Sequence, residues 1–213
     1  SEGESYALAA SRIIKDLDDT EATIANRGSP SGNIKVSTAA AHSRLTITPL
    51  LKEFLQRYPD ITIELDVTDQ ISDVSAGHVD VAIRFGKLPD SGLHTRRLGE
   101  TGRVVIASPA YLASKGIPRI PADLKDHNCL DFSFRRLEPG WPFLADGQEF
   151  MLSVSGNIIA NNGETLVELA LQGMGITRVG RFHVQQALAS GQLVPLLEDH
   201  NPQDREAIHA VFI

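Results

Sequence analysis

Cysteine is nearly absent from this sequence, and long apolar runs are absent altogether. The single cysteine, Cys129, excludes an internal disulfide framework. No stretch approaches the ~20 consecutive apolar residues that a membrane-spanning helix needs. The first residues are acidic and lack the basic-then-apolar pattern of a secretion signal. We therefore expect a cytoplasmic protein with no membrane partner.

Basic residues are too few and too dispersed to form a nucleic-acid surface. The sequence has 20 Lys and Arg against 27 Asp and Glu, for a formal net charge of −7. Neutralising a run of DNA phosphates requires clustered Lys and Arg, and the sequence has no such cluster. The chain is not expected to bind DNA by itself. A small anion remains compatible, because the local field in a cleft can oppose the net charge.

The signatures of the common catalytic and metal sites are also missing. There is no G-x-S-x-G, C-x-x-C or H-E-x-x-H motif, and the seven histidines are scattered without metal-ligand spacing. Gly173-Met174-Gly175 begins like a dinucleotide fingerprint, but Arg178 replaces the third glycine, and a helix precedes the motif where a strand is needed. Cys129 is interpreted as a buried strand residue, the alternative being a reactive thiol. The sequence predicts no enzyme, no catalytic residue, no metal and no cofactor.

Residues 1–28 have the pattern of a long helix that pairs with another helix. Their apolar positions step alternately by four and three residues, which is heptad spacing; they are Tyr6, Ala10, Ile13, Leu17, Thr20 and Ile24. The alternative is an amphipathic helix that packs on its own domain. Gly28-Ser29-Pro30-Ser31-Gly32 then predicts a linker.

From residue 33 the hydrophobic pattern alternates between strands and helices, which predicts an α/β fold with a mostly parallel sheet and helices on both faces. Predicted strands are 34–37, 61–68, 80–85, 103–107, 129–134, 150–155, 157–160, 176–179, 194–197 and 207–213. Predicted helices are 47–58, 71–76, 109–114, 161–172 and 181–189. The second half repeats the arrangement of the first. We therefore expect two similar α/β units with a cleft between them.

Two predicted strand-to-helix turns are the best candidates for a ligand site. The first, 39–44, contains Ala41, His42 and Ser43, and its small residues would let backbone amides approach a ligand. The second begins at Asn161 and Asn162, where Asn161 and Glu164 have the spacing of a capping box. Helix N-termini carry unpaired N–H groups and partial positive charge, which favour anions. The alternative is that these residues only cap their helices.

Other candidate site residues emerge where strands end. Thr68, Arg84 and Phe85 follow predicted strands, and ligands of open α/β sheets lie beyond the carboxyl ends of the strands. Arg84 is expected either to pair with Asp80 or Asp66 or to bind an anionic ligand, because a guanidinium suits carboxylates. Arg178 is a further candidate, with solvent exposure or a salt bridge as its alternatives. Trp141 and Phe143 are interpreted as loop anchors, the alternative being a ligand platform.

The chain resembles the effector-binding region of LysR-type transcriptional regulators along almost its whole length. The resemblance is carried by SGNIKVSTAAAHSRLTITPLLKEFLQRYPDITIELDVTD, VDVAIRFGKLPDSGLHTRRLG, VVIASPAYLASKGIPRIPADLKDHNCL and NNGETLVELALQGMGITRVGRFHVQQALASGQLVPLLEDHNPQDREAIHAVF. It implies two Rossmann-like subdomains with a cleft between them, similar to periplasmic solute-binding proteins. Their expected bounds are 33–103 with 204–213 for the first and 104–203 for the second, after a dimerisation helix at 1–28.

The same resemblance implies a sensor for a small metabolite, often a carboxylate, held between the subdomains. Contacts are implied for 41–43, Thr68, the region of Arg84, and Asn161 with Asn162. It also implies a homodimer or tetramer that reaches DNA only through a winged helix-turn-helix ahead of Ser1. The sequence departs from the family at Gly180, where many members carry proline, and at His42, which leaves the ligand class open.

Two other functions are weighed against a LysR-type sensor. A free-standing solute-binding protein of a transport system would share the cleft, but the heptad helix and the missing secretion signal disfavour it. An α/β enzyme such as a transferase is disfavoured by the lack of a nucleophile–base pair or a phosphate cradle.

Overall fold

The computed structural model describes residues 30–68, 79–88, 92–133 and 140–212. The predicted helices at 1–28 and 71–76 lie outside these ranges. The chain divides into two compact units: unit 1 contains the described residues of Ser1–Gly99 and Ala207–Ile213, and unit 2 is Glu100–Glu206. The sequence had placed these divisions at 103/104 and 203/204. The two passages of the chain between the units lie within strands.

Unit 1 is built on a sheet whose strands run in both directions. Its strands are β1 (Gly32–Thr38), β2 (Ile61–Val67), β3 (Val81–Phe85) and β11 (Arg205–Phe212). Parallel pairs join β1 to β2 and to β3, and β11 runs antiparallel to β3. The unit is therefore mostly parallel, as predicted, with β11 as the one antiparallel strand among these four. Hydrophobic periodicity carries no information on strand direction, so it could not single out β11.

Helix α1 follows β1 with only Ala39 between them, so the predicted turn through Arg44 is in fact helical. It runs as Ala40–His42 in α, Ser43–Ile47 in the wider π form, and Thr48–Arg57 in α conformation. The wide turn is marked by the Thr48 N–H, which donates to the Ser43 carbonyl. Pro49 explains it, because proline cannot donate to the Leu45 carbonyl and its ring crowds that group.

The strands of unit 2 also run in both directions and are flanked by short helices. β4 runs antiparallel to β9 and β10, whereas β5 runs parallel to β8 and β9. The strands are β4 (His94–Ala107), β5 (Cys129–Phe132), β8 (Ile159–Ala160), β9 (Ile176–Gly180) and β10 (Val194–Leu196). The helices are α2 (Pro109–Lys115), α3 (Gly163–Leu171) and α4 (Gln185–Ala189), with 3-10 turns at Pro121–Asp126, Arg181–His183 and Glu198–His200.

β4 begins nine residues earlier than the predicted strand at 103–107. Its first five residues, His94–Leu98, are exposed and mostly polar. A strand with an exposed, charged beginning lacks the apolar pattern on which the prediction depended.

A hairpin completes unit 2 and corrects a further expectation. β6 (Trp141–Ala145) pairs with β7 (Gln148–Leu152), so Trp141 and Phe143 are strand residues rather than loop anchors. Both are buried in a core cluster with Cys129 and Ile176. The Trp141 indole N–H donates to Asp131 Oδ1 at 3.0 Å, which satisfies its polar end. The opposite face of the sheet packs on α3 through a second apolar cluster.

Candidate functional site

The candidate residues of unit 1 gather where its parallel strands end and α1 begins. The Thr68 N–H donates to the Thr38 carbonyl at 3.0 Å, which holds the end of β2 against the end of β1. β3 lies on the other side of β1 and ends at Phe85. We call this region, formed by residues 37–43, 66–68 and 84–85, the carboxyl edge of unit 1.

His42 is the buried centre of one side of this edge. The residue is only 4% exposed, Nδ1 lies 3.1 Å from Thr38 Oγ1, and the ring lies edge-on to Phe85 at 5.2 Å between centroids. Burial lowers the pKa of His42 below its ordinary value, so the imidazole is neutral near pH 7. A neutral imidazole offers a ligand one donor or one acceptor rather than a charge.

Ala41 and Ser43 are also buried, but Ser43 does not cap the helix as the sequence suggested. The N-cap residue is Ala39, which has no side-chain oxygen, and the Ser43 N–H already donates to the Ala39 carbonyl at 2.8 Å. The N-cap residue of α1 therefore makes no side-chain cap hydrogen bond. The helix therefore begins at the predicted turn, but with Ala39 rather than Ser43 at its N-cap position.

Arg84 projects from the opposite face of the sheet to Phe85, because side chains alternate along a strand. Register places Asp66, Ser37 and Ala82 in one row, which fixes this face as that of Arg84. Arg84 Nη1 donates to the Ile83 carbonyl at 3.3 Å. Burial lowers the pKa of Arg84 and the nearby Asp66 charge opposes that effect, so the guanidinium stays charged. A ligand beyond the edge can meet residues of both faces.

In unit 2 the candidate residues surround the start of α3. Asn162 is the N-cap, and its Oδ1 accepts from the Thr165 N–H at 3.0 Å. The predicted cap at Asn161 is thus displaced by one residue, and Asn161 is exposed. His183 was missed by the sequence reasoning. A Cβ on Gly163 would lie 2.7 Å from His183 Nε2, so the imidazole covers the first residue of α3.

Arg178 forms a salt bridge, which was one of the alternatives to a ligand contact that the sequence left open. It is 2% exposed on β9, and its guanidinium donates to Asp204 Oδ1. This ion pair lies wholly within unit 2, and Asp204 directly precedes β11. A contact between Arg178 and an effector stays a prediction.

The described residues contain no cluster of three or more His, Cys, Asp or Glu that could hold a metal ion. Burial raises the pKa of the Cys129 thiol to about 12. The strand interpretation of Cys129 agrees with its place in β5. Over the ranges that the structure describes, no helix is long and apolar enough to cross a membrane.

Two mixed α/β units each present polar residues where a helix begins, which is the place where ligands of open α/β sheets bind. Comparison with known proteins identifies the family. The LysR substrate binding domain matches residues 27–212. The chain belongs to this family and is the effector-binding domain of a LysR-type transcriptional regulator. Its fold is that of the family, mixed α/β and like that of periplasmic solute-binding proteins.

Relatives and solved structures agree with this assignment. The chain is 34% identical to the HTH-type transcriptional regulator CrgA of Neisseria meningitidis serogroup C, over 99% of this chain and 71% of that protein. The structure of the CrgA regulatory domain matches with a TM-score of 0.80 and 34% identity, over 86% of this chain and 89% of that one. Full-length AphB of Vibrio cholerae matches with a TM-score of 0.76 and 26% identity, over 99% and 72%.

Proposed function

We propose that this domain binds a small carboxylate metabolite between its two units and relays the binding to an N-terminal winged helix-turn-helix of the full protein. In unit 1 the proposed contacts are Ala41, His42, Ser43, Thr68, Arg84 and Phe85. In unit 2 they are Asn161, Asn162 and Arg178. The alternative, a free-standing solute-binding protein, is not favoured, because the relatives compared above are transcriptional regulators.

The observation that carries the proposal is the composition of the carboxyl edge of unit 1. One partly buried cation, Arg84, belongs to the same edge as a helix start whose N-cap residue, Ala39, has no side-chain oxygen, and as a neutral buried imidazole. Backbone amides and a guanidinium both favour negatively charged oxygens. A carboxylate has two acceptor oxygens, which can accept hydrogen bonds from the backbone amides and from the guanidinium.

Signal transfer is proposed to be a shift in population rather than a chemical step. A ligand can move a conformational equilibrium only by binding one state more tightly than the other. Because the chain passes between the units within β4 and β11, a ligand held by both units would favour one geometry of those strands. That preference would then bias the DNA-binding domains of a homodimer or tetramer.

The proposed homodimer has support in the sequence and in unit 1. Residues 1–28 carry heptad spacing. In addition, the Thr48–Arg57 part of α1 has no buried residue, and Leu50 on it is 60% exposed. An exposed apolar helix face is typical of a surface that a partner covers, and we assign a second copy of the chain to it.

The experiment is a thermal-shift screen of acetate, pyruvate, succinate and benzoate. A ligand at a hundredfold excess over its Kd stabilises the folded state by about 2.7 kcal/mol. The Arg84→Ala variant should lose this stabilisation while its unliganded melting temperature stays close to that of the unchanged protein. Arg57→Ala is the matched control, because Arg57 is an exposed arginine at the far end of α1. A full shift in Arg84→Ala would remove Arg84 from the site.

A further inference from the structure

The sheet of unit 1 places a histidine directly beside Arg84. In the antiparallel ladder of β3 and β11, His209 is opposite Arg84 and Val211 is opposite Ala82. Opposite residues of an antiparallel pair share a face and their side chains are neighbours. The row of Arg84 and His209 is the last on this face before β3 ends at Phe85. His209 therefore lies next to the cation of the proposed effector site.

One nitrogen of His209, Nδ1, has no hydrogen-bond partner among the residues that the structure describes. Among the described side chains its Nδ1 is buried and unpaired, a property that only the Thr177 hydroxyl shares. Buried polar atoms in folded proteins are almost always hydrogen-bonded, because an unpaired one loses its hydration without compensation. His209 is next to a guanidinium and has an unpaired buried nitrogen. The unpaired nitrogen disfavours folding, so the stability of the fold does not explain this arrangement.

Three acidic residues of β2 and the start of β3 have interactions with other groups on this face. Asp66 acts on Arg84 through its charge. Lys35 and Glu64 pair with each other at 2.8 Å, one row further from the edge than Asp66. Asp80 Oδ2 accepts from the Lys35 N–H at 2.8 Å. Asp66 is thus placed near Arg84, and Glu64 and Asp80 are placed near Lys35.

We propose that His209 is an effector-binding residue and forms, with Arg84, a two-donor site for one carboxylate. The guanidinium meets the negative charge, and the imidazole N–H donates to the second oxygen and so satisfies its unpaired nitrogen. A guanidinium and a ring N–H side by side would favour a planar carboxylate over a chloride ion, because each oxygen then has its own directed hydrogen bond. This inference rests on the proposed function of the carboxyl edge of unit 1.

The test measures Kd by isothermal titration for the carboxylate that gives the largest thermal shift among acetate, pyruvate, succinate and benzoate. His209→Phe keeps a ring of similar size and removes both nitrogens. It should weaken binding by about ten- to a hundredfold, the effect of losing a hydrogen bond to a charged group. His209→Asn should restore much of the affinity, because the amide nitrogen takes the place of Nδ1. His94→Phe is the control, since His94 is an exposed histidine of β4 that stacks on Phe212 at 5.8 Å.

The outcomes separate this inference from the proposed function. If Arg84→Ala abolishes binding while His209→Phe keeps Kd within twofold, His209 is not in the site and the proposed function stands. If none of the four carboxylates binds the unchanged protein, both proposals are contradicted. A spectroscopic readout guards against a merely structural effect: in protein labelled with 15N-histidine, the Nδ1 resonance of His209 should move on titration, and an unmoved resonance would overturn the proposal even if His209→Phe fails to fold.

Discussion

Removing Asp204 and removing Arg178, the two members of one ion pair, should change the stability of the protein by very different amounts. The Arg178 side chain is 3% exposed and the Asp204 side chain 36%. Asp204→Ala leaves a buried guanidinium without its carboxylate. Arg178→Met instead removes the buried charge, keeps much of the aliphatic volume, and leaves a carboxylate that water can reach. Asp204→Ala is therefore expected to be the more destabilising change.

The magnitudes follow from these exposures. Breaking a fully buried ion pair from one side costs about 3–5 kcal/mol, and water around Asp204 brings the expected loss for Asp204→Ala down to about 2–3 kcal/mol. For Arg178→Met we expect about 1 kcal/mol, because the remaining charge is solvated. The double variant should be no less stable than Asp204→Ala alone, since it no longer buries an unmatched charge.

The assay is urea unfolding followed by tryptophan fluorescence. Trp141 is the only tryptophan and is fully buried in unit 2, so its emission reports the unit that holds the ion pair. A larger loss for Arg178→Met than for Asp204→Ala would refute the reasoning from buried charge. Loss of carboxylate binding in Arg178→Met, with stability kept, would instead support the predicted effector contact.

Two further predictions concern buried titratable groups. Burial raises the pKa of Cys129 to about 12, so almost no thiolate exists at pH 8. A disulfide reagent such as DTNB should therefore react only after unfolding, because the thiolate is the reactive form. Rapid reaction of the folded protein would contradict this. His42 has a folded pKa below its unfolded value of about 6.5, so its stabilising contribution is fully present above that pH and is lost as the pH falls through the folded pKa. Between pH 7.5 and 5 the unfolding free energy of His42→Gln should therefore decline less steeply than that of the unchanged protein, and equal slopes would argue against a buried neutral imidazole.

The sequence predicted most strands and helices because their apolar residues recur with the right period. It could not predict the direction of β11, since pairing depends on residues more than a hundred positions away in the chain. It also missed the start of α1. The sequence around Pro49 does not predict a π turn. The structure shows that the π segment Ser43–Ile47 accommodates Pro49, so that the helix continues from Ala40 to Arg57.

For the candidate site, the sequence identified residue types and strand ends but not side-chain partners. The pairing of Arg178 with Asp204 joins residues 26 positions apart. His183 could have been suspected from Gly163, because a glycine at the first position of a helix often leaves room for a neighbouring group. His209 carried no signal, since its position opposite Arg84 depends on the register of an antiparallel ladder.

The most direct test of the account locates the bound carboxylate by methyl NMR of the alanine and isoleucine side chains. On titration with the carboxylate that gives the largest thermal shift, the methyl resonances of Ala41, Ala82 and Ile83 at or beside the carboxyl edge of unit 1 should move. Those of Ile34 and Ile61, near the opposite ends of β1 and β2, should stay in place. Movement confined to residues remote from this edge, such as the exposed Ile117 and Ile120 of unit 2, would contradict the central claim.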